Sequence, residues 1–159
     1  GFDMKILYFD CNKNRYLDEE MDASLVDLET LLKDSDFISV HTPLTTDTRH
    51  MISKKQFEIM KPTAVLINTS RGAVVDEHAL AHALRTKQIW GAGLDVYENE
   101  PVVTPELFEL DNVVMTPHIG TATSGTRRDM AVIAAQNVLD IMDGKVTAGL
   151  VNPEASQKK

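Results

Sequence analysis

The sequence predicts an α/β fold built on a doubly wound parallel sheet. Short apolar runs alternate with helical patterns along the whole chain. Three of these runs end in polar, Pro or Gly residues, within VLINTSRG (65–72), GLDVYENEP (93–101) and VVMTPHIG (113–120). Buried parallel strands have this appearance where they emerge at the carboxyl edge of a sheet. Because right-handed crossovers place all strand carboxyl ends on one edge, the loops that follow these runs are expected to meet in space.

The apolar runs predict five strands, at 5–9, 37–40, 64–67, 91–94 and 112–115. Asp10 closes the first run, and a polar segment through Asp22 follows it. The second run ends at His41-Thr42-Pro43, because proline cannot continue a hydrogen-bonded ladder. Helical patterns separate the strands, as expected for a parallel sheet.

Two helices are predicted before the third strand. Ser24 is expected to cap the first of them. Its apolar face would carry Leu25, Leu28, Leu31 and Leu32. The second opens at Ser53, whose spacing to Gln56 fits a capping box, and stops before Pro62.

Two further helices are predicted later in the chain. Asp76 caps the helix 77–86, with Leu80 and Leu84 facing inward. The last helix runs over about 122–143 and ends at Gly144. One side of it carries Met130, Ile133, Ala134, Val138 and Ile141. These patterns divide the chain into alternating strands and helices over 1–121, a long helix with a short following segment over 122–152, and a tail over 153–159 that is expected to be disordered.

Composition excludes several classes of protein. A chain of 159 residues with 43% hydrophobic residues suffices for one core. The net charge of -8 argues against a nucleic-acid partner. No apolar run approaches the roughly 20 residues that span a membrane, and the first residues do not resemble a signal peptide. Cys11 has no partner for a disulfide, which favours a reducing compartment and a cytoplasmic location.

Asp10 is a candidate cofactor ligand. A carboxylate at the end of an early strand can accept both hydroxyls of an adenosine ribose and would repel a 2′-phosphate, which favours NAD. Lys13 and Arg15 nearby could instead accept that phosphate, so NADP stays open. The alternative is an ordinary turn aspartate, because no G-x-G-x-x-G turn precedes it.

Arg71, Glu100 and His118 are candidate catalytic residues, because each follows a predicted strand end. A guanidinium can grip a carboxylate with two hydrogen bonds and polarise an adjacent carbonyl. Gly72, next to it, would let the backbone turn sharply and admit a ligand closely. The imidazole can give or take a proton near neutral pH, and Glu100 could favour its protonated form. Asp95 either accepts a hydrogen bond from a carboxamide or caps the turn.

The remaining histidines are better explained without a metal. His78 and His82 lie four residues apart on one helix, which suits a metal, but EHALAH offers no third ligand. A solvated helix face is therefore favoured, and no metal site is expected. His41 and His50 are interpreted as local hydrogen-bonding residues.

The segments VLINTSRGAVVDEHAL, GAGLDVYENEP and VVMTPHIG, in this order and spacing, closely resemble the D-isomer-specific 2-hydroxyacid dehydrogenases. The resemblance covers the chain from Lys5 to about Pro153. It implies that 1–121 is a partial dinucleotide-binding domain and that 122–152 is a helix and a return segment toward a substrate domain. Within the family, the chain is most similar to the glyoxylate/hydroxypyruvate reductase and phosphoglycerate dehydrogenase branches. Glu100 argues against the formate dehydrogenase branch, which lacks it.

The resemblance implies a function and a role for each candidate residue. The reaction would be hydride transfer between NADH, with NADPH as the alternative, and the C2 carbonyl of a small 2-oxo acid, giving a D-2-hydroxy acid. Arg71 would bind the substrate, His118 would exchange the proton, and Glu100 would tune His118. The implied cofactor-binding residues are Asp10, Thr42, Pro43, Thr48, Thr69, Ser70, Arg71, Asp95, His118 and Gly120.

The chain also departs from the family pattern. The family places a substrate domain and the first strand, glycine turn and helix of the sheet before the part that this chain resembles. The missing strand would lie between the strands 5–9 and 64–67, so its absence would split the sheet and expose edges. The expectation is a fragment that pairs with a separate N-terminal segment or a copy of itself, with a homodimer as the usual family assembly. Isolated, it is expected to reduce nothing measurable.

Two other functions fit the same residues. Some members of this superfamily are corepressors that bind the dinucleotide as a ligand, and they can retain Arg71, Glu100 and His118. The chain could also be a nucleotide-binding fragment without activity. Turnover of NADH with glyoxylate or hydroxypyruvate by the whole protein would separate the enzyme from the corepressor, and glyoxylate-dependent oxidation of NADH by this chain alone would exclude the inactive fragment.

Overall fold

The computed structural model describes residues 2–147 and 149–152. In this part of the chain there are six strands and five α-helices. In chain order they are β1 (Leu7–Tyr8), α1 (Arg15–Glu20), β2 (Ser24–Leu25), α2 (Leu28–Asp34), β3 (Phe37–Val40), α3 (Lys54–Ile59), β4 (Val65–Asn68), α4 (Glu77–Arg85), β5 (Gly91–Leu94), β6 (Val113–Met115) and α5 (Ser124–Met142). Short 3₁₀ turns occupy Gly72–Val74 and Pro105–Glu109. The chain forms two compact units, of which one ends at His118 and the other begins at Ile119.

The first unit contains two parallel sheets. The larger has the order β3-β4-β5-β6, and the smaller pairs β1 with β2. The parallel α/β architecture predicted from the sequence is confirmed, and every predicted strand run overlaps a strand, whereas β2 was not predicted. The position expected for the break in the sheet is wrong, however. β3 is the edge strand of the larger sheet, whereas β4 lies inside it between β3 and β5.

The predicted helix capped by Ser24 is also wrong at its start. The Ser24 N–H donates to the Ile6 carbonyl at 3.0 Å, so this residue is paired in β2. The helix begins only at Leu28, because Asp27 is the cap and its carboxylate accepts from the Thr30 N–H at 2.8 Å. The preceding polar segment is not a plain loop, since Asn14 caps the short helix α1 within it.

The caps predicted for α3 and α4 are confirmed. Gln56 reaches back to accept the Ser53 N–H at 3.2 Å, which is one half of a capping box. Asp76 accepts the Ala79 N–H at 3.0 Å and so begins α4. The Ser53 hydroxyl also donates to Asp76 at 2.9 Å, which ties the starts of the two helices together.

The core of the first unit lies on one face of the larger sheet. Alternate strand residues point to this face, where they are buried against α2, α3 and α4. They include Ile38, Val40, Leu66 and Leu94, and their helical partners include Leu32, Phe57, Leu80 and Leu84. On the opposite face, Phe37 is 63% exposed and Val114 is 71% exposed. The inward positions predicted for Leu80 and Leu84 are confirmed.

The second unit is dominated by α5. Thr123 caps it, and Gly144 follows its end with a φ of 74°, a conformation that glycine adopts without strain. None of the α5 residues is buried, and its predicted apolar side is exposed by half or more at Met130, Ile133, Val138 and Ile141. The segment 153–159 lies outside the described residues. Among the described helices, none is both long and apolar enough to cross a membrane.

Candidate active site at the carboxyl edge of the sheet

The four strands of the larger sheet end side by side. Val40 pairs with Asn68, Asn68 pairs with Leu94, and Leu94 pairs with Met115. The loops that leave these ends therefore start from one edge, which is where open α/β sheets bind ligands. These loops carry most of the site residues predicted from the sequence, namely Thr42, Pro43, Thr48, Thr69, Ser70, Arg71, Asp95, Glu100 and His118.

Hydroxyl groups connect the loops that follow β3 and β4. The Ser70 hydroxyl donates to the Thr42 carbonyl, which joins the two loops directly. Thr48 donates its hydroxyl to the Pro43 carbonyl at 2.6 Å and thereby closes the β3 loop on itself. Thr69 is exposed next to this junction. These two loops, with Thr42, Pro43, Thr48, Thr69 and Ser70, therefore place polar groups along this side of the sheet edge. They are called the polar ledge below.

Asn68 organises the loop that carries Arg71. Its side chain is 1% exposed, its amide donates to the Arg71 carbonyl at 3.0 Å, and its oxygen accepts the Ser70 N–H at 3.1 Å. Arg71 itself is exposed, and its Nη1 donates to the Ser70 carbonyl at 2.6 Å. The sequence analysis missed Asn68. The available signal was a polar residue at the end of an otherwise apolar strand.

Gly72 brings the Arg71 loop against the loop of Glu100. A Cβ at this position would lie 1.9 Å from the Tyr97 carbonyl carbon and 2.4 Å from the Glu98 nitrogen. The sequence predicts a sharp turn and a close approach of ligand at Gly72. The close approach exists, but the neighbour is the backbone of the protein itself. Only glycine allows these two loops to touch.

Glu100 and His118 form a hydrogen-bonded pair. The Nδ1 atom of His118 lies 2.8 Å from Oε2 of Glu100, and Oε1 accepts the Tyr97 N–H at 3.0 Å. The His118 bond, then the Tyr97 N–H, and also the nearby charge of Arg71 hold the pKa of Glu100 below its ordinary value of 4.5. His118 is therefore hydrogen-bonded to Glu100, and the charge of Arg71 acts on the same carboxylate. His118 has a φ of 52°, which is uncommon outside functional sites and turns.

Asp95 and Tyr97 support the β6 side of the site. Asp95 is 7% exposed and accepts the Thr116 hydroxyl at 2.5 Å. Tyr97 donates to the Thr116 carbonyl at 2.9 Å. Burial, followed by the Asp95, Glu77 and Glu100 carboxylates, raises the pKa of the Tyr97 phenol. A cavity of about 360 Å³ lies next to Tyr97 and Thr116. It is lined mostly by apolar side chains, together with Glu100 and His118.

Two predicted cofactor residues lie elsewhere. Asp10 follows β1 in the smaller sheet, where it is exposed and accepts the Asn12 N–H at 3.0 Å and the Cys11 thiol at 3.3 Å. These bonds, the Asn12 one first, lower the pKa of Asp10 below 3.8 and keep it ionised. Gly120 belongs to the second unit, which begins at Ile119.

A partly buried polar network joins His50, Glu98 and Glu77, and the sequence did not reveal it. The interpretation of His41 as a local residue is confirmed, because its Nε2 lies 2.9 Å from the Ser39 hydroxyl. His50, however, pairs over 48 positions with Glu98, at 2.9 Å from Nε2 to Oε2. Glu98 and Glu77 in turn bind each other's backbone N–H groups. Such long-range pairs leave no periodic signal in a sequence. The Glu100–Pro101 peptide bond in this loop is cis.

The described residues offer no metal centre. Across 2–147 and 149–152, no group of three or more His, Cys, Asp or Glu side chains could hold an ion. His78 lies on an exposed helix face with its Nδ1 3.7 Å from Glu106.

Comparison with known proteins identifies the family. Residues 1–120 match the family model for the D-isomer specific 2-hydroxyacid dehydrogenase, NAD binding domain. Glyoxylate reductase from Thermococcus litoralis is 53% identical over 154 residues, which are 97% of this chain and 46% of that protein.

Solved structures agree with this relationship. The D-lactate dehydrogenase from Lactobacillus jensenii, crystallised with NAD+, superposes with a TM-score of 0.82 at 34% identity, over 92% of this chain and 48% of that one. A glyoxylate reductase from Paecilomyes thermophila gives 0.84 at 38% identity, over 96% and 46%. The chain thus spans about half the length of the relatives it matches. It belongs to the D-isomer specific 2-hydroxyacid dehydrogenase family, as part of its NAD-binding domain.

Proposed function

We propose that the whole protein is an NAD-dependent oxidoreductase that reduces a small 2-oxo acid to a D-2-hydroxy acid. The observation that carries this proposal is the Glu100–His118 pair, 2.8 Å apart at the carboxyl edge of the sheet, with Arg71 close enough to affect Glu100. A proton donor, its carboxylate partner and a cation for an acid substrate are the groups that such a reaction needs.

The residues present fit a nicotinamide dinucleotide. Asp10 is an exposed, ionised carboxylate at a strand end, which suits the two hydroxyls of an adenosine ribose. Asp95 is a buried acceptor at the same edge as Arg71, which suits the amide of a nicotinamide. Thr42, Pro43, Thr48, Thr69 and Ser70 would form the polar ledge along which the cofactor lies. A carboxylate at position 10 favours NAD over NADP.

The chain's own groups account for the remaining chemistry. The bound dinucleotide would supply the hydride that adds to C2 of the 2-oxo acid. Arg71 would hold the substrate carboxylate and polarise the C2 carbonyl with its planar donors. His118 would then deliver a proton to the carbonyl oxygen from Nε2, because Nδ1 already faces Glu100. Glu100 would keep the imidazolium oriented and stabilised, and the reverse reaction would use the same nitrogen as a base.

The relatives support glyoxylate or hydroxypyruvate as the substrate. The Thermococcus litoralis protein is named a glyoxylate reductase, and a 45% identical protein of Salmonella paratyphi B is named a glyoxylate/hydroxypyruvate reductase. The proposal extends to a homodimer in the cytoplasm. Light scattering on the purified whole protein would test the assembly.

The decisive experiment measures oxidation of NADH and NADPH by the whole protein with glyoxylate, hydroxypyruvate and pyruvate. Replacing His118 with alanine should lower kcat by about 10²–10⁴-fold, because general acid catalysis is lost. His78→Ala, on an exposed helix face, is the matched control and should leave kcat unchanged. Binding of NADH without turnover of any 2-oxo acid would contradict the proposal and favour a dinucleotide-sensing module.

A further inference from the structure

Glu77 is a buried carboxylate for which the proposed reaction has no direct use. It is the first residue of α4, and its side chain is almost entirely enclosed, with 3% exposure for the residue. A carboxylate costs several kcal/mol to bury unless hydrogen bonds replace its water. Within the described ranges 2–147 and 149–152, it forms no ion pair with lysine, arginine or histidine.

Both carboxylate oxygens of Glu77 bind backbone donors of one loop. Oε1 accepts the Glu98 N–H at 2.5 Å, and Oε2 accepts the Thr104 N–H at 3.2 Å. The loop returns the contact, because Oε1 of Glu98 accepts the Glu77 N–H at 3.0 Å. Glu77 therefore clamps the loop 98–104 at its two ends, and Glu100 lies between the clamped positions.

The same loop is anchored on its other side. Glu98 Oε2 lies 2.9 Å from the His50 Nε2 and 3.5 Å from the Arg49 Nη2. The backbone at Tyr97 and Glu98 lies directly against Gly72. The Glu100 carboxylate binds the Tyr97 N–H and His118, so its position is tied to the backbone next to Glu98.

A purely structural role explains part of this arrangement. A negative charge in the first turn of α4 interacts favourably with the helix dipole. That effect operates equally well when the side chain points into water. It does not require a buried side chain that reaches across to a second loop. The burial and the two loop contacts point instead to control of the loop.

We propose that Glu77 is a positioning residue that fixes loop 98–104 and thereby sets the geometry of the Glu100–His118 pair. This inference rests on the proposed function for its effect on rate. Its effect on the pair itself is independent of that function.

The test replaces Glu77 with glutamine in the whole protein. Glutamine has the same shape, but one of its two terminal atoms is an NH₂ group. That group would face a backbone N–H, either of Glu98 or of Thr104, and leave a donor unsatisfied. Glu109→Gln makes the same chemical change in a surface pair with Arg85 and serves as the control.

Two measurements then separate positioning from mere stability. Carboxyl ¹³C NMR should show that the pKa of Glu100 rises towards its ordinary value of 4.5 in E77Q. In E109Q the pKa of Glu100 should be the same as in the wild type. The kcat for the 2-oxo acid should fall about tenfold with KM nearly unchanged, because the displaced pair serves proton transfer rather than binding.

A second variant keeps the test decisive if E77Q does not fold. Thr104 has a φ of −54°, which proline adopts, and its side chain makes no capping bond. Thr104→Pro removes the N–H that donates to Oε2 of Glu77 and leaves the Glu77 charge in place. It should therefore raise the pKa of Glu100 and lower kcat, as E77Q does. The double variant E77Q/T104P should have a kcat no lower than that of E77Q. The new NH₂ group could then face position 104, where proline has no N–H.

An unchanged Glu100 titration and an unchanged kcat in E77Q or T104P would overturn the inference and leave Glu77 with a structural role. Failure of the proposed function has a different result. In that case the wild-type protein turns over no 2-oxo acid, whereas the Glu100 titration still responds to E77Q.

Discussion

At the residue scale, the chemistry of the site follows from side-chain type and from position at a strand end. Arg71, Glu100 and His118 were predicted together because each follows an apolar run, and parallel strands end on one edge. The structure brings them into one environment, with His118 bonded to Glu100 and Arg71 affecting its titration. Their roles in a reaction stay proposals that mutation can test.

Arg71→Lys tests whether the guanidinium grips the substrate carboxylate. Lysine keeps the charge but loses the planar fork that makes two parallel hydrogen bonds. A lost charge-assisted hydrogen bond costs roughly 1.5–3 kcal/mol, so KM for the 2-oxo acid should rise by about 10- to 100-fold. Steady-state kinetics of the whole protein measure this, with Arg85→Lys in the exposed Glu109 pair as the control. An unchanged KM in R71K would show that another group holds the carboxylate.

The residues that the sequence did not reveal act through partners far along the chain. Asn68 was hidden because one polar residue at the end of a strand carries no distinctive pattern. The pairing of His50 with Glu98 spans 48 positions, and the reciprocal bonds of Glu77 and Glu98 span 21. Local propensity and periodicity describe neighbours within a few residues, so they do not reach contacts that only the tertiary fold creates.

At the element scale, strong local signals were reliable and competing ones were not. β3 and β5 have the predicted bounds, and Asp76 caps α4 as expected. The helix assigned to Ser24 failed because Asp27 offers a better-placed cap, while Ser24 pairs with β1. Leucines at helical spacing could not reveal this, since the first of them, Leu25, lies in a strand. Pairing between strands overrides periodicity in so short a segment.

Gly72→Ala tests the contact that joins the Arg71 and Glu100 loops. The added Cβ would lie 1.9 Å from the Tyr97 carbonyl carbon, so the two backbones must separate. We expect a loss of about 3 kcal/mol or more in the free energy of unfolding, at the upper end of overpacking effects. Urea unfolding followed by circular dichroism provides the measurement.

Gly93→Ala is the matched control for that variant. A Cβ at Gly93 meets only Ile67 Cγ1, at 3.9 Å, which is an ordinary contact. Alanine also restricts the unfolded chain more than glycine does, so this variant should be neutral or more stable by about 0.5–1 kcal/mol. If the two variants unfolded alike, the contact between the loops would not explain the glycine at position 72.

At the scale of the whole molecule, the sequence correctly predicted a parallel α/β fold with a divided sheet, but it predicted the wrong strand next to the division. The strand order β3-β4-β5-β6 depends on which edges pair, and apolar runs do not encode that choice. Phe37 and Val114 lie in the predicted strand runs, but both are exposed on the face of the sheet opposite the core. Parallel sheets are usually covered on both faces, and a periodic pattern cannot tell which strand positions are covered within a given chain.

Four carboxylates of the molecule share a direction of pKa shift that predicts how stability depends on pH. Asp10, Asp27, Asp76 and Glu100 all have pKa values held below their ordinary values. Burial alone would raise the pKa of Asp76, but the Ala79 N–H, the Ser53 hydroxyl and the charges of His50 and His78 outweigh it. The folded state consequently binds these protons less readily than the unfolded chain does. Their contribution to stability is complete above the ordinary values of 3.8 and 4.5 and is lost as pH falls through the lowered ones.

Between about pH 7 and pH 5, these groups should change the free energy of unfolding little. At pH values under about 4.5, the free energy of unfolding should decrease. Urea titrations at several pH values, followed by circular dichroism, would measure it. Asp76→Asn is an informative variant, because asparagine still caps α4 but does not titrate. Its stability should decline less steeply with acid than that of the wild type. An equal decline in both proteins would mean that Asp76 titrates alike in the folded and unfolded chain, and the bonds from Ala79 and Ser53 would then not lower its pKa.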